Sequence, residues 1–218
     1  MKPTNHRQLT KIVGLALLLM FGSARAELTD EIHTLQTRWA EVNYQMTGKT
    51  QLSAFEQLIK DADQVITHYP NQAEGWIWSG IIKSTYAGAR GGFGALGYAK
   101  ESKKALEKAL SIAPDALDGS AYTSLGTLYF NVPGWPIGFG DDDKAEELLK
   151  KALAINPNGI DSNYFYGDFL ISQKRYREAK QFLEKARQAA PRPGRPLADA
   201  GRQKEISQRL AIVTDKLK

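Results

Sequence analysis

The sequence predicts an all-α fold, a solenoid of about four stacked helix pairs followed by a C-terminal capping helix. Three segments that end at Pro114, Pro157 and Pro191 carry small and large apolar residues at helical spacing. The last two prolines are 34 residues apart. A period of this length indicates helix pairs that each bury an apolar face on the next pair, and no segment has the alternation of a strand.

The segment 158–191 carries the clearest repeat. Its first predicted helix has a small residue, Gly167, where a second helix must approach closely. The second helix alternates small and large packing positions at Ala179, Leu183 and Ala186. The segment 119–157 repeats this pattern and 73–114 repeats it in weaker form. The arrangement resembles the tetratricopeptide (TPR) family. The resemblance implies a right-handed superhelix whose concave surface binds a partner, and it implies that the protein is not an enzyme.

The segments on either side of these three repeats, which together span 73–191, are predicted to cap the array. Residues 27–72 have the apolar spacing of a degenerate N-terminal helix pair. Residues 192–218 begin with a Pro- and Gly-containing link and continue as a helix. The apolar stripe of that last helix is Ile206, Leu210, Val213 and Leu217.

The first 26 residues have the pattern of a secretory signal peptide. An apolar run from Ile12 to Phe21 follows a basic start, and Ala24-Arg25-Ala26 fits a cleavage site. The pattern predicts export to the periplasm as a soluble chain that begins at Glu27. The alternative is an uncleaved membrane anchor, but the run has 10 residues, whereas a span needs about 20.

Charge and cysteine content indicate which kinds of partner and site this chain does not support. The chain has 29 basic and 24 acidic residues, but the leader contributes basic residues and no acid, so the remainder is almost neutral. Charge therefore gives no support for a nucleic-acid partner. Because it has no cysteine, the chain can form neither disulfides nor thiolate metal sites. For the same reason it has no cysteine to which a lipid could be attached as a membrane anchor.

Two repeats are longer than the third. They measure 44 and 43 residues between closing prolines, and the surplus falls between first and second helices, at 88–97 and 131–141. Insertions at matching points project from one edge of a solenoid, so these loops are predicted to be neighbours. They either form a recognition site or fold over the groove and bury their own aromatic rings, which are Phe93, Trp135 and Phe139.

Two motifs in these loops have simple structural explanations. Gly92–Gly97 satisfies GxGxxG, but a dinucleotide site needs a preceding strand, which is not apparent. Asp141, Asp142 and Asp143 stand at a predicted helix start, where carboxylates accept hydrogen bonds from free amides. Asp143 and Glu146 also have capping-box spacing. We therefore expect neither a cofactor nor a metal ion.

Binding residues are predicted on the inner faces of the first helices and in the loops, because no catalytic constellation is apparent. This face lacks the Lys, Arg and Asn residues with which some TPR proteins clamp a terminal carboxylate. Packing of the same side chains on a capping helix is the alternative explanation. The candidate residues are Ile77, Ile81, Phe93, Thr123, Thr127, Phe130, Trp135, Phe139, Tyr164 and Asp168.

The segment Val132-Pro133-Gly134-Trp135-Pro136, followed by an acid-capped helix, supports a narrower resemblance. It is similar to the periplasmic TPR-like component encoded beside TRAP-type solute transporters. That resemblance implies a secreted subunit that self-associates as a homo-oligomer, binds a solute-binding protein and holds a small apolar or acidic ligand. We therefore expect a periplasmic scaffold for a protein or peptide partner. The alternatives are an accessory small-ligand-binding subunit of a TRAP-type uptake system and an envelope-assembly or stress factor.

Overall fold

The computed structural model describes the backbone of residues 6–218 and the side chains of residues 25–218 except Phe93. This part of the chain forms nine α-helices and no strand, which confirms the all-α solenoid. The helices are α1 (His6–Gln45), α2 (Gly48–His68), α3 (Ala73–Arg90), α4 (Gly92–Ile112), α5 (Ala116–Asn131), α6 (Asp142–Ile155), α7 (Ile160–Ser172), α8 (Tyr176–Arg187) and α9 (Pro196–Lys216).

Most of the predicted leader lies outside the residues whose side chains are described, so its cleavage stays a prediction. Residues 1–5 are not described at all. Within the part of the chain that is described, no helix has the length and apolar character needed to span a membrane.

The repeated prolines end the second helices of the pairs. Helices α4, α6 and α8 stop shortly before Pro114, Pro157 and Pro191. Proline lacks an amide hydrogen and disfavours helical backbone at the residue before it, so each helix must end there. After the link between α8 and α9, Pro196 lies in the first turn of α9. A backbone N–H at this position would have no partner within the helix, so its absence in proline costs nothing.

A glycine at each helix crossing allows the two members of a pair to approach closely. A Cβ atom built on Gly80, Gly126 or Gly167 would lie only 2.6, 2.8 or 2.8 Å from the Cγ of a leucine in the partner helix. These leucines, Leu106, Leu149 and Leu183, are fully buried. The pairs α3–α4, α5–α6 and α7–α8 therefore share one packing register, as the sequence predicts.

The structure differs from the sequence prediction at 88–97, where the pattern predicts a loop. Helix α3 continues to Arg90 and α4 starts at Gly92, so Gly91 alone separates them, with a φ of 60° that suits glycine. The surplus residues lengthen both helices. Arg90 stabilises this corner by donating a hydrogen bond to the Tyr86 hydroxyl over 2.9 Å. The second insertion is a loop, between the end of α5 and the start of α6.

The acidic run at 141–143 caps helix α6. The Asp141 side chain accepts a hydrogen bond from the backbone N–H of Lys144 at 2.9 Å. Asp141 is therefore the N-cap, and the capping box expected between Asp143 and Glu146 does not form. The Glu146 carboxylate instead pairs with Arg175 at 2.7 Å, and the hydrogen bonds from Arg175 and Lys150 lower the pKa of Glu146 to about 2.

The C-terminal helix connects the two ends of the array. α9 packs on α8 and α7 and also contacts α1. Ala198 of α9, only 2% exposed, belongs to the same apolar cluster as Leu28 and Trp39 of α1. The predicted capping helix thus also closes the superhelix on itself.

Candidate functional site

The concave side of the solenoid encloses a cavity of about 760 Å³. Its walls come from the first helices α3, α5 and α7, from the start of α4 and from the loop before α6. Helices α1 and α9, with the link before α9, complete the enclosure. The cavity is therefore built by elements from both ends of the chain.

The cavity has an exposed mouth and a buried floor. Gly92, Asn131, Pro133 and Ile137 are exposed and form the mouth. Trp39, Trp78, Thr123 and Arg202 are buried, and together with Asp161 and Arg195 they form the floor. Along α3, Trp78 at the floor and Gly88 near the mouth are ten residues apart, which corresponds to about 15 Å of helix.

Hydroxyl groups on the wall donate their protons to backbone carbonyls of their own helices. Ser84 and Thr85 donate to Ile81, Ser120 to Leu117, and Thr127 to Thr123. The oxygens of Ser84, Ser120 and Thr127 remain free to accept hydrogen bonds, whereas Thr85 Oγ1 accepts one from Trp39 Nε1 over 3.0 Å. The rest of the wall is mainly apolar and includes Ile81, Ala95, Leu96, Leu128, Val132 and Phe165.

An arginine of α9 anchors the floor. Arg202 Nε donates to Asp161 Oδ1 over 2.8 Å, and its guanidinium carbon lies 4.3 Å from the ring centre of Tyr164 and 4.5 Å from that of Phe165. Asp161 also pairs with Arg192. Burial opposes ionisation of Asp161, but Arg202 and Arg192 together outweigh it and lower its pKa to about 2.

A second arginine at the floor lacks such a partner. The guanidinium of Arg195 lies over the ring of Trp78, with 5.3 Å between its carbon atom and the ring centre. Within the described side chains, no acceptor reaches its buried Nε, and none reaches the indole nitrogen of Trp78, a side chain that is 3% exposed. Burial and the neighbouring Arg192 lower the pKa of Arg195 from its usual value.

Three of the candidate binding residues line the cavity, namely Ile81, Thr123 and Thr127. Ile77 is buried in the core, and Phe130 packs on Phe169 with 5.7 Å between ring centres. Tyr164 lies under Arg202, and Asp168 pairs with Arg209 at 2.6 Å. These four residues thus contact other side chains of the fold and do not line the cavity.

The two lengthened segments lie side by side at the mouth, as their matching positions predict. A Cβ atom on Gly138 would lie 3.4 Å from Leu96 Cδ1. Their aromatic rings do not form one cluster: Phe139 packs edge-on against Tyr129, whereas Trp135 is 90% exposed. The side chain of Phe93 lies outside the described residues.

Of the residues named at the floor, only Thr123 is among the candidates predicted from the sequence. Trp39, Trp78, Arg195 and Arg202 come from α1, α3, the link and α9, and their approach depends on closure of the superhelix. The first helices α3, α5 and α7 contribute no lysine or arginine to the cavity; both arginines of the floor come from the link and from α9. The run Arg192-Pro193-Gly194-Arg195-Pro196 was the available signal, since it places two arginines on a stiff link.

No group of acidic or histidine residues in the described part of the chain is arranged to hold a metal ion. The geometry provides a largely apolar space that is open at its mouth, with hydrogen-bond acceptors on its wall and, at its floor, Arg195 without an ion pair among the described side chains. Such a site is suited to binding.

Antiparallel helix pairs that cross at a glycine and stack around a concave cavity define a TPR-type solenoid. Two segments, 93–116 and 137–200, match family models described as tetratricopeptide repeat. The chain therefore contains tetratricopeptide repeats. No curated protein sequence matches it.

Solved structures with a similar fold include TTC0263, a thermophilic TPR protein in Thermus thermophilus. The identity is 18% and the TM-score 0.58, over 90% of this chain and 95% of that chain. MamA aligns at 19% identity and a TM-score of 0.44, over 77% and 91% of the two chains. YrrB, described as a TPR protein with an unusual peptide-binding site, aligns at 17% identity and a TM-score of 0.41, over 77% and 78%. At these identities the comparison with TTC0263 shows a shared fold only.

Proposed function

We propose that this protein is a non-enzymatic periplasmic scaffold that binds a protein or peptide partner through its concave face and the loop 132–141 at the cavity mouth. The observation that carries this proposal is the exposure of Trp135, at 90%, beside Ile137, at 68%. Large apolar side chains exposed together on a soluble domain mark interaction sites, and tryptophan is enriched among residues that dominate binding energy.

The backbone of this loop is held by hydrogen bonds. Gly140 N–H donates to Pro133 over 3.0 Å, Gly138 N–H donates to Gly134 over 3.1 Å, and Asp141 N–H donates to Tyr129 over 2.9 Å. Because these bonds fix the loop before a partner arrives, little backbone freedom is lost on binding. The loop therefore suits presentation of Trp135 to another protein.

Residues 1–26 support the periplasmic location, because they have the three parts of a signal peptide. N-terminal sequencing of the protein recovered from a periplasmic fraction tests this part of the proposal. The expected first residue is Glu27. A chain that stays in the membrane fraction with its leader attached would contradict it.

Affinity capture from periplasmic extract tests the partner proposal. A partner held by the wild type should be lost, or bind about 30-fold more weakly, when Trp135 is replaced by alanine. Ile212→Ala is the matched control, since Ile212 is an exposed apolar residue on α9, remote in sequence from the loop. Equal capture by the Trp135→Ala variant would remove the loop from the proposal.

The cavity favours a second function, that of an accessory small-ligand-binding subunit. Its volume of about 760 Å³ lies within the range of roughly 300–1,000 Å³ found for small-molecule sites. Together with the similarity of the loop 132–141 to the component encoded beside TRAP-type transporters, this supports a role in solute uptake. Ligand titrations of the purified protein test it.

A further inference from the structure

We propose that the cavity floor binds the carboxylate of a small amphipathic acid, held by Arg195, while the apolar wall encloses the body of that acid. This inference rests on the small-ligand function proposed above and names the class of ligand.

Arg195 has hydrogen-bond donors without a partner. The acidic residues of this cluster pair with the other two arginines: Arg192 Nε donates to Asp199 Oδ1 over 2.6 Å, Arg202 Nε donates to Asp161 Oδ1 over 2.8 Å, and Arg202 also pairs with Glu205. Arg195 lines the cavity and makes no ion pair with any carboxylate in residues 25–218; its Nε is covered by protein, so the terminal nitrogens are the donors that a ligand can reach. A carboxylate ligand would satisfy the guanidinium through parallel hydrogen bonds.

Trp78 positions the guanidinium of Arg195 at the floor. The guanidinium lies over the Trp78 ring, with 5.3 Å between its carbon atom and the ring centre. The indole nitrogen lacks an acceptor among the described side chains, but it is covered by protein and cannot donate to a ligand in the cavity. The cation–π contact therefore holds the positive charge at the floor, where an anionic group of a ligand can pair with it.

The wall of the cavity suits an apolar ligand body. From floor to mouth the cavity extends about 15 Å along α3, and its wall is mainly apolar; among its hydroxyl groups, those of Ser84, Thr85, Ser120 and Thr127 already donate their protons to the helices. An extended peptide would place backbone carbonyls against a wall with few donors, which is unfavourable. A hydrocarbon or aromatic body has no such groups, so a small acid fits better than a peptide terminus.

Calorimetric titration with decanoate and with decanol, both below the concentrations at which they aggregate, tests the proposal. Decanoate should bind at least about 10-fold more tightly than decanol, because only the acid can pair with Arg195. Arg195→Gln should weaken decanoate binding about 10- to 100-fold and leave decanol binding unchanged, and Arg195→Lys should restore part of the loss. Circular dichroism of each variant checks that the fold is retained.

Arg177→Gln is the matched control, since Arg177 is an exposed arginine on α8, and it should bind decanoate as the wild type does. Equal binding of decanoate and decanol, or an unchanged affinity in Arg195→Gln, would overturn the carboxylate site and leave the small-ligand function standing. Failure of both probes to bind would overturn both. Tighter binding of the peptide Ala-Leu-Ala-Leu-Leu with a free carboxyl terminus than of decanoate would assign the site to a chain terminus and overturn the proposal.

Discussion

Individual arginine side chains determine the charge and the hydrogen bonding of the cavity floor. They come from the link after α8 and from the capping helix α9. Arg192 and Arg202 share Asp161 between them, and Arg195 is left to face the cavity. Since Asp161 holds two guanidinium groups in position, it is expected to contribute to stability as well as to the shape of the floor.

Asp161→Asn should lower the free energy of unfolding at pH 7 by roughly 2 kcal/mol, because the neutral amide removes the carboxylate that Arg192 and Arg202 share and leaves Arg202 with Glu205 alone. The pKa of Asp161 is about 2 in the folded protein, below the ordinary value of 3.8. A lowered folded pKa means that the stabilisation is complete above about pH 4 and is lost as pH falls towards 2.

Thermal melts from pH 2 to 7 check this prediction. The difference in Tm between wild type and Asp161→Asn should be constant above about pH 4 and shrink below it. Comparing the two proteins removes the contribution of other carboxylates, such as Glu146, whose pKa is also about 2. Asp30→Asn, at an exposed position of α1, is the control. A difference that does not change with pH would show that the ion pair is not the cause.

The close approach of two helices at a glycine leads to a second prediction about single residues. Gly126→Ala should lower the free energy of unfolding by about 1–2 kcal/mol, because its Cβ would lie 2.8 Å from Leu149 Cγ and 3.2 Å from the Ala145 carbonyl. At Gly97 in α4, no atom lies within 4 Å of such a Cβ, and Gly97→Ala should raise stability by up to about 1 kcal/mol. Urea denaturation of both variants distinguishes crowding from helix propensity. A gain at both sites would contradict the close approach.

At the scale of elements, the sequence determines helix pairs more clearly than it determines loops. Prolines and small residues locate the repeats, because a helix must end near proline and two helices can approach closely only over a small side chain. The prediction of a loop at 88–97 is wrong because surplus length alone cannot distinguish a loop from two longer helices. The alanines and leucine of this segment favour helix, and one glycine at 91 is enough for the turn.

The apolar stripe of α9 is predicted to carry most of the stability that this helix adds. Ile206→Ala should lower the free energy of unfolding by about 2–4 kcal/mol, because Ile206 is fully buried in the cluster formed by α6–α9. Ile212→Ala on the same helix, where the side chain is 40% exposed, should change it by less than about 1 kcal/mol. Chemical denaturation measures both. Equal effects would mean that α9 is not held by its buried face.

At the scale of the whole molecule, closure of the superhelix creates the candidate site. Trp39 and Trp78 are more than 100 residues before Arg195 and Arg202 in the sequence, and each repeat contacts mainly its neighbours. Helical periodicity and turn signals report local structure only. The curvature that brings α9 onto α1 is the sum of many small rotations between repeats, so the sequence pattern could not predict the floor.

This closure leads to a prediction for the whole molecule. Ala198→Glu should separate α9 from α1, because it places a carboxylate at a position that is 2% exposed in the cluster shared by these helices. The free energy of unfolding should fall by at least about 2 kcal/mol. The radius of gyration from small-angle X-ray scattering should rise. Decanoate binding should weaken, since the floor includes residues of α1 and of α9.

Ala200→Glu provides the matched comparison, because Ala200 lies on the exposed side of the same helix. Glutamate in the first turns of a helix interacts favourably with the helix dipole, so neither substitution weakens α9 itself. A larger radius of gyration in Ala198→Glu alone would therefore assign the effect to the contact between α9 and α1. If the two variants scatter alike and bind decanoate alike, the cavity floor does not depend on that contact, and the local packing of α9 on α7 and α8 must be sufficient to form it.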